Sequence, residues 1–239
     1  MPTTTPPSVR EISKSYDTLV GNVDHDAKAK EDRAYGGVVR AAKGMLVESM
    51  GQHLVRIAWK ELEGVPKRLS FERTAVRVPL RDLYLDRLEK TDPSVARYIR
   101  DHRKRYVYPL KTDIHVSVDG RFAMGVECKA YAENAMLKRI LIDFWLLRHA
   151  HPDLTCVLLQ LESQLTGDYS DLSKSLHLGS TTTHTLLSYF DYDLHILTLL
   201  EGERKVDRPI HKRQFYKPLK EEHLAAAVCV LKKLLLRFL

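Results

Sequence analysis

The sequence predicts an α/β protein in which a mixed β-sheet is flanked by helices, and three stretches carry that prediction. Residues 111–129, "KTDIHVSVDGRFAMGVECK", alternate apolar and polar side chains on both sides of a turn signal, Asp119-Gly120, as an antiparallel hairpin does. The following "AENAMLKRILIDFWLLRHAHPD" sets Met136, Ile140, Leu141, Phe144 and Leu147 at helical spacing. Then "TCVLLQLES", 155–163, is a short apolar run of the kind a buried strand shows.

Taken in order, residues 1–9 are rich in Pro and Thr and read as a disordered tail, and 10–239 as a single domain without internal repeat or linker. "AAKGMLVESMGQHLVRIAWKELEG" reads as a helix ending near Gly64. Residues 80–105 read as helical pieces interrupted by "TDPS" and closed by the basic cluster "RDHRKR". Hairpin, helix and strand follow. Residues 164–184 are polar and rich in Ser, Thr and Gly, too long for a simple connector, and such loops are usually functional or mobile. "YDLHILTLLEG" reads as another buried strand and "LAAAVCVLKKLLLRF" as the closing helix.

The composition excludes several classes. With 44% hydrophobic and 29% charged residues, a chain of 239 residues can fill one globular domain. A formal charge of +7 favours an anionic partner. There is no long apolar run and no signal-peptide pattern at "MPTTTPPSV", so the expected location is the cytoplasm, with no membrane contact. Cys128, Cys156 and Cys229 are scattered in apolar stretches without metal-site spacing and read as core residues. His149 and His151 read as helix C-terminal residues. No Gly-rich phosphate loop, nucleophile elbow or H-E-x-x-H motif is present.

The hairpin sequence carries chemistry. If its loop is Asp119, Gly120 and Arg121, Val118 faces Phe122, Ile114 meets Val126 and Asp113 meets Glu127. One face then collects Ile114, Val116, Val118, Phe122, Met124, Val126 and Cys128, and the other Asp113, His115, Ser117, Ala123, Gly125, Glu127 and Lys129. A two-residue loop would mix the faces. Two carboxylates directly opposite repel unless a cation lies between them. Oxygen donors this few suit Mg²⁺, which keeps several waters and shares its shell with a substrate phosphate. Lys129, on the same face, would reach a water or a phosphate oxygen, and the outline is that of phosphodiester hydrolysis.

Asp113, thirteen intervening residues, and Glu127-Cys128-Lys129 resemble the PD-(D/E)XK nuclease superfamily, and with this chain length, a type II restriction endonuclease. The resemblance spans residues 41–163 in architecture, and Thr112 stands where the family often has Pro. It implies a restriction-endonuclease-like core, α-β-β-β-α-β. It further implies Glu48 as an additional acidic residue on the preceding helix, and Asp113, Glu127 and the main-chain carbonyl of Cys128 as metal ligands. The implied reaction leaves 5′-phosphate and 3′-hydroxyl ends on double-stranded DNA. A homodimer matches a symmetric site, and a cognate DNA methyltransferase is expected as functional companion. The same core could serve a repair or recombination nuclease without sequence specificity, or a nicking or transposition nuclease. A basic DNA-binding module whose acidic cluster is structural is the non-enzyme alternative.

Asp119 lies in the turn, too far along the strand to share a metal with Glu127, and Asp143 and Asp153 read as surface charge. For phosphate contacts the sequence offers Arg204, Lys205, Arg208, Lys212, Arg213 and Lys217, interleaved with Phe215 and Tyr216, and Lys174 in the 164–184 segment. The plainer reading of 203–217 is a solvated loop balanced by Glu201, Glu203 and Asp207.

Overall fold

The computed structural model describes residues 8–28, 32–72, 74–173, 180–210 and 212–239. Its first element, α1 (Val9–Lys28), opens on a reciprocal cap. The Ser8 main-chain N–H donates to Glu11 Oε2 at 2.6 Å, and the Glu11 N–H donates to Ser8 Oγ at 3.3 Å. Val9 is therefore helical, which corrects the end of the expected tail; residues 1–7 lie outside the described residues.

After α2 (Asp32–Glu61) come β1 (Leu69–Glu72), β2 (Val76–Pro79), α3 (Asp82–Thr91), α4 (Pro93–Asp101) and β3 (Val107–Leu110). The hairpin strands are β4 (Ile114–Val118) and β5 (Arg121–Glu133). Then follow α5 (Asn134–Ala150), β6 (Thr155–Gln164), α6 (Thr181–Leu187), β7 (Leu194–Thr198) and α7 (Glu221–Leu235). The main sheet has the order β1-β4-β5-β6-β7, and β2 and β3 form a separate ribbon. Pairing is antiparallel from β1 to β5 and parallel from β5 to β7. The mixed sheet expected from the sequence is thus present, with α5 as the crossover that a parallel β5–β6 pair requires.

Two cores sandwich the sheet. On one side Ile114, Val116, Val126 and Leu159 pack with Tyr16 of α1, Leu54 and Ala58 of α2 and Leu224, Val228 and Leu231 of α7. On the other, Leu158 packs with Leu137, Leu141, Phe144 and Leu147 of α5 and with Val78 and Leu110 of the ribbon. Gly51 sets how closely α2 lies on the hairpin: a Cβ there would stand 2.6 Å from Ile114 Cδ1 and 2.8 Å from Leu159 Cδ2.

The hairpin corrects one expectation. Val118 pairs with Arg121, so the loop is the two residues Asp119 and Gly120, both left-handed with φ of 51° and 73°. That is the backbone that matches strand twist in a tight hairpin. The register is nonetheless Ile114 opposite Val126, as expected, because a bulge between Val116 and Ser117 places one extra β5 residue, Ala123, between the pairs Ser117–Phe122 and Val116–Met124. The bulge exchanges the faces of two residues. Ala123 joins the α2-side core, and Phe122 stacks on His115 with ring centroids 3.5 Å apart.

The 164–184 segment is partly anchored. Gln164 ends β6, Thr181 opens α6, and Thr183 Oγ1 donates to the Leu165 carbonyl at 2.9 Å, as does Ser180 Oγ. Lys174 falls in 174–179, outside the described residues.

Candidate active site

Asp113 sits one residue ahead of β4, and Thr112 fixes its approach, its hydroxyl donating to the Ile114 carbonyl at 3.0 Å. From there Asp113 Oδ2 accepts the Cys128 main-chain N–H at 2.7 Å, which ties the carboxylate to the middle of β5. Glu127 and Lys129, two apart on that strand, project to the same side. Lys129 Nζ donates to Asp113 Oδ2 and to Glu127 Oε2, both at 2.7 Å, and lies 3.2 Å from the Cys128 carbonyl oxygen. Three oxygens therefore converge on one cation, and in this structure the cation is the chain's own ammonium.

Burial pushes the Glu127 carboxyl above its ordinary value, partly opposed by Lys129 and reinforced by Asp113. For Lys129 burial alone would lower the pKa, but Glu127 and Asp113 together outweigh it and hold the ammonium above its ordinary value. The group is a buried positive charge matched by two carboxylates. Its donor set of carboxylates and a carbonyl is also that of a hard divalent cation with an incomplete protein shell. Among the described residues no three His, Cys, Asp or Glu side chains form a metal-binding group, so a metal here would draw on two carboxylates and the main chain.

Glu48 is half-buried on α2, one turn before Gly51, whose Cα faces Ile114, Leu159 and Cys128. It makes no hydrogen bond to Lys129. Its charge is felt at Cys128, whose thiol is pushed well up by burial and further by Asp113, Glu127 and Glu48. Asp119 is held at the hairpin tip by Arg68, Nη2 to Oδ2 at 2.7 Å, away from the cluster.

Three residues escaped the sequence reading. Asp143, read as surface charge, is largely buried on α5 beside the cluster; burial raises its carboxyl, opposed by Arg139 at 3.6 Å and by Lys129. Gln160 lies opposite Lys129 on β6 and is fully buried. Its Oε1 accepts the Ala132 N–H and its Nε2 donates to Thr198 Oγ1, both at 2.9 Å, which braces β5, β6 and β7 beneath the site. Glu162, further along β6, is buried against Lys217 at 3.1 Å. Only the polar positions 160 and 162 in an otherwise apolar run signalled the last two.

The chain is 47% identical over 233 residues to the type II restriction enzyme DdeI of Desulfomicrobium norvegicum, covering 95% of this chain and 96% of that enzyme. The chain belongs to the type II restriction enzymes. With that family it is a site-specific deoxyribonuclease, a hydrolase whose substrate is DNA. No protein-family model and no solved structure matches it.

The restriction enzyme's basic segment at 204–217 lies just past the cluster, where Glu203 bridges to Ser163 at the end of β6. Several of its cations are engaged within the fold. Arg204 stacks on Tyr131, its guanidinium carbon 3.8 Å from the ring centre, and donates to Gln164. Lys217 is taken by Glu162, Lys205 lies 3.3 Å from Glu203, and Arg208 lies 3.8 Å from Asp207. Arg213 is exposed and Lys212 half-buried. No helix among the described residues is long and apolar enough to cross a membrane.

Proposed function

We propose that this restriction enzyme cuts double-stranded DNA at the Asp113, Glu127 and Lys129 cluster, as a PD-(D/E)XK nuclease with Mg²⁺ as cofactor. The observation that carries the reading is the convergence of Asp113 Oδ2, Glu127 Oε2 and the Cys128 carbonyl on one point. Those three groups would hold Mg²⁺, and Glu48 of α2 is a further catalytic residue of the reading. When bound, the metal supplies positive charge that eases ionisation of a water and offsets charge growing on the phosphate. Lys129, displaced from the carboxylates, donates hydrogen bonds to a phosphate oxygen or the attacking water. The Gln160 brace keeps β5 from shifting under the cluster. Attack of water on phosphorus breaks the bond to the 3′ oxygen, which takes up a proton, and leaves a 5′-phosphate.

The hairpin, crossover helix and parallel strand support a restriction-endonuclease-like core, with 10–239 as one catalytic and DNA-binding unit. Of the segment at 204–217, the exposed Arg208 and Arg213 are the leading candidates for phosphate contact. A homodimer suits a symmetric site, and light scattering should give twice the chain mass; a monomeric mass with DNA present and absent contradicts it. A partner methyltransferase and a prokaryotic cytoplasmic setting complete the reading.

Incubation with long phage DNA tests it. Sharp bands that require Mg²⁺ and vanish in EDTA are the expected result, and a smear, nicks alone or cleavage in EDTA would count against it.

A further inference from the structure

β2, α3, α4 and β3 are an insertion between β1 and β4, neighbouring strands of the main sheet. Only the ribbon is seated: Val78 and Leu110 enter the α5-side core, while α3 buries Leu85 alone and α4 only Ala96 and Ile99. The helices are otherwise exposed, and their surface is unusual in composition. Residues 76–111 hold ten Lys and Arg against five Asp and Glu, an excess of five out of the chain's seven. All ten cations are exposed.

The acids are mostly spent inside the arm. Asp82 pairs with Arg103, Asp86 and Glu89 pair with Arg100, and Asp92 caps α4 by accepting the Val95 N–H at 3.1 Å. Among the described residues, Arg87, Lys90, Arg97, Lys104, Arg105 and Lys111 carry no ion pair. Tyr84, Tyr98 and Tyr108 stand among them, 45%, 55% and 57% exposed. A merely solvated face would balance its charges. This one concentrates unpaired cations and exposed aromatics on an arm whose last strand, β3, ends three residues ahead of Asp113.

We infer that the β2–α3–α4–β3 arm is the surface that grips the DNA duplex and lays the scissile strand against Asp113. The inference rests on the nuclease reading and adds to it where the phosphates are held. Charge complementarity selects the occupant, since a polyanion with regularly spaced phosphates satisfies cations that the fold leaves unmatched.

The test measures binding of a labelled mixed-sequence duplex in EDTA, so that no strand is cut, across a salt series. The wild type is compared with Arg97→Gln/Lys104→Gln/Arg105→Gln and with Arg208→Gln/Arg213→Gln. The arm variant should weaken binding about tenfold or more and reduce the slope of log affinity against log salt by about two to three, one for each lost phosphate contact. Its melting temperature should match the wild type, since the three side chains hold no partner. Acetylation of wild-type Lys90, Lys104 and Lys111 should fall when the duplex is added, a readout that needs no variant. An unchanged slope in the arm variant, a loss confined to the Arg208/Arg213 variant, or acetylation indifferent to DNA would overturn the inference. If the wild type still cuts DNA in Mg²⁺, the nuclease reading survives that outcome; a wild type that neither binds nor cuts removes both.

Discussion

Lys129→Ala is expected to lower Mg²⁺-dependent cleavage by about 10²–10³-fold or more, the loss seen when one preorganised charge-stabilising donor is removed. Affinity for DNA measured in EDTA should stay within a few-fold, because the cation lies within the cluster and not on the gripping surface. The same substitution has a stability signature. It leaves Asp113 and the buried Glu127 facing each other without their common partner, which should cost about 1–3 kcal/mol, below the range for fully buried pairs because Asp113 and Lys129 are partly exposed. The sign with pH follows from the direction of the Glu127 shift. A carboxyl whose folded-state pKa lies above its unfolded value favours the fold below the ordinary value of 4.5 and loses that contribution as pH rises through the folded value. Losing Lys129 widens the shift, so the deficit in melting temperature against wild type should be largest near neutral pH and shrink towards pH 4.5. Equal deficits at both pH values, or cleavage retained, would contradict the role given to Lys129.

Glu127→Gln should separate metal binding from folding. A ligand that binds only the folded state stabilises it by RT ln(1 + [L]/Kd), about 2.7 kcal/mol at one hundred times Kd. Wild-type melting temperature should therefore climb with Mg²⁺ or Ca²⁺, and the rise should disappear in Glu127→Gln, with cleavage lost in parallel. The amide keeps the size of the side chain and an acceptor for Lys129, so the variant should fold in EDTA. A cation-dependent rise equal to that of wild type would show that Glu127 is not a ligand.

Much of this was legible in the sequence where a period could be counted. The strict alternation in 114–118 and 124–128 gave the register Ile114–Val126, and the i, i+3, i+4 spacing in 134–150 gave α5. The bulge at Ala123 was not, since small Ala fits either face and the two-residue turn plus bulge leaves the same register at Val126 as a three-residue loop. β1, β2 and β3 are four residues each, too short for alternation to stand out. The cap that starts α1 was present as Ser8-x-x-Glu11 but lay under a Pro- and Thr-rich tail. At the site, Asp113, Glu127 and Lys129 could be brought together on paper because all three belong to one hairpin. Asp143, Gln160 and the Glu162–Lys217 pair depend on crossovers and parallel register, which no local pattern records. The basic arm was visible only in part, as "RDHRKR", because its charge excess is spread over two helices and a ribbon.

The most direct test is a crystal of the protein soaked in Mn²⁺, with anomalous scattering used to place the ion. The expected result is a peak contacted by Asp113, Glu127 and the Cys128 carbonyl oxygen, with Lys129 Nζ moved off the carboxylates. Mn²⁺ bound elsewhere, with Lys129 still held between Asp113 and Glu127, would contradict it.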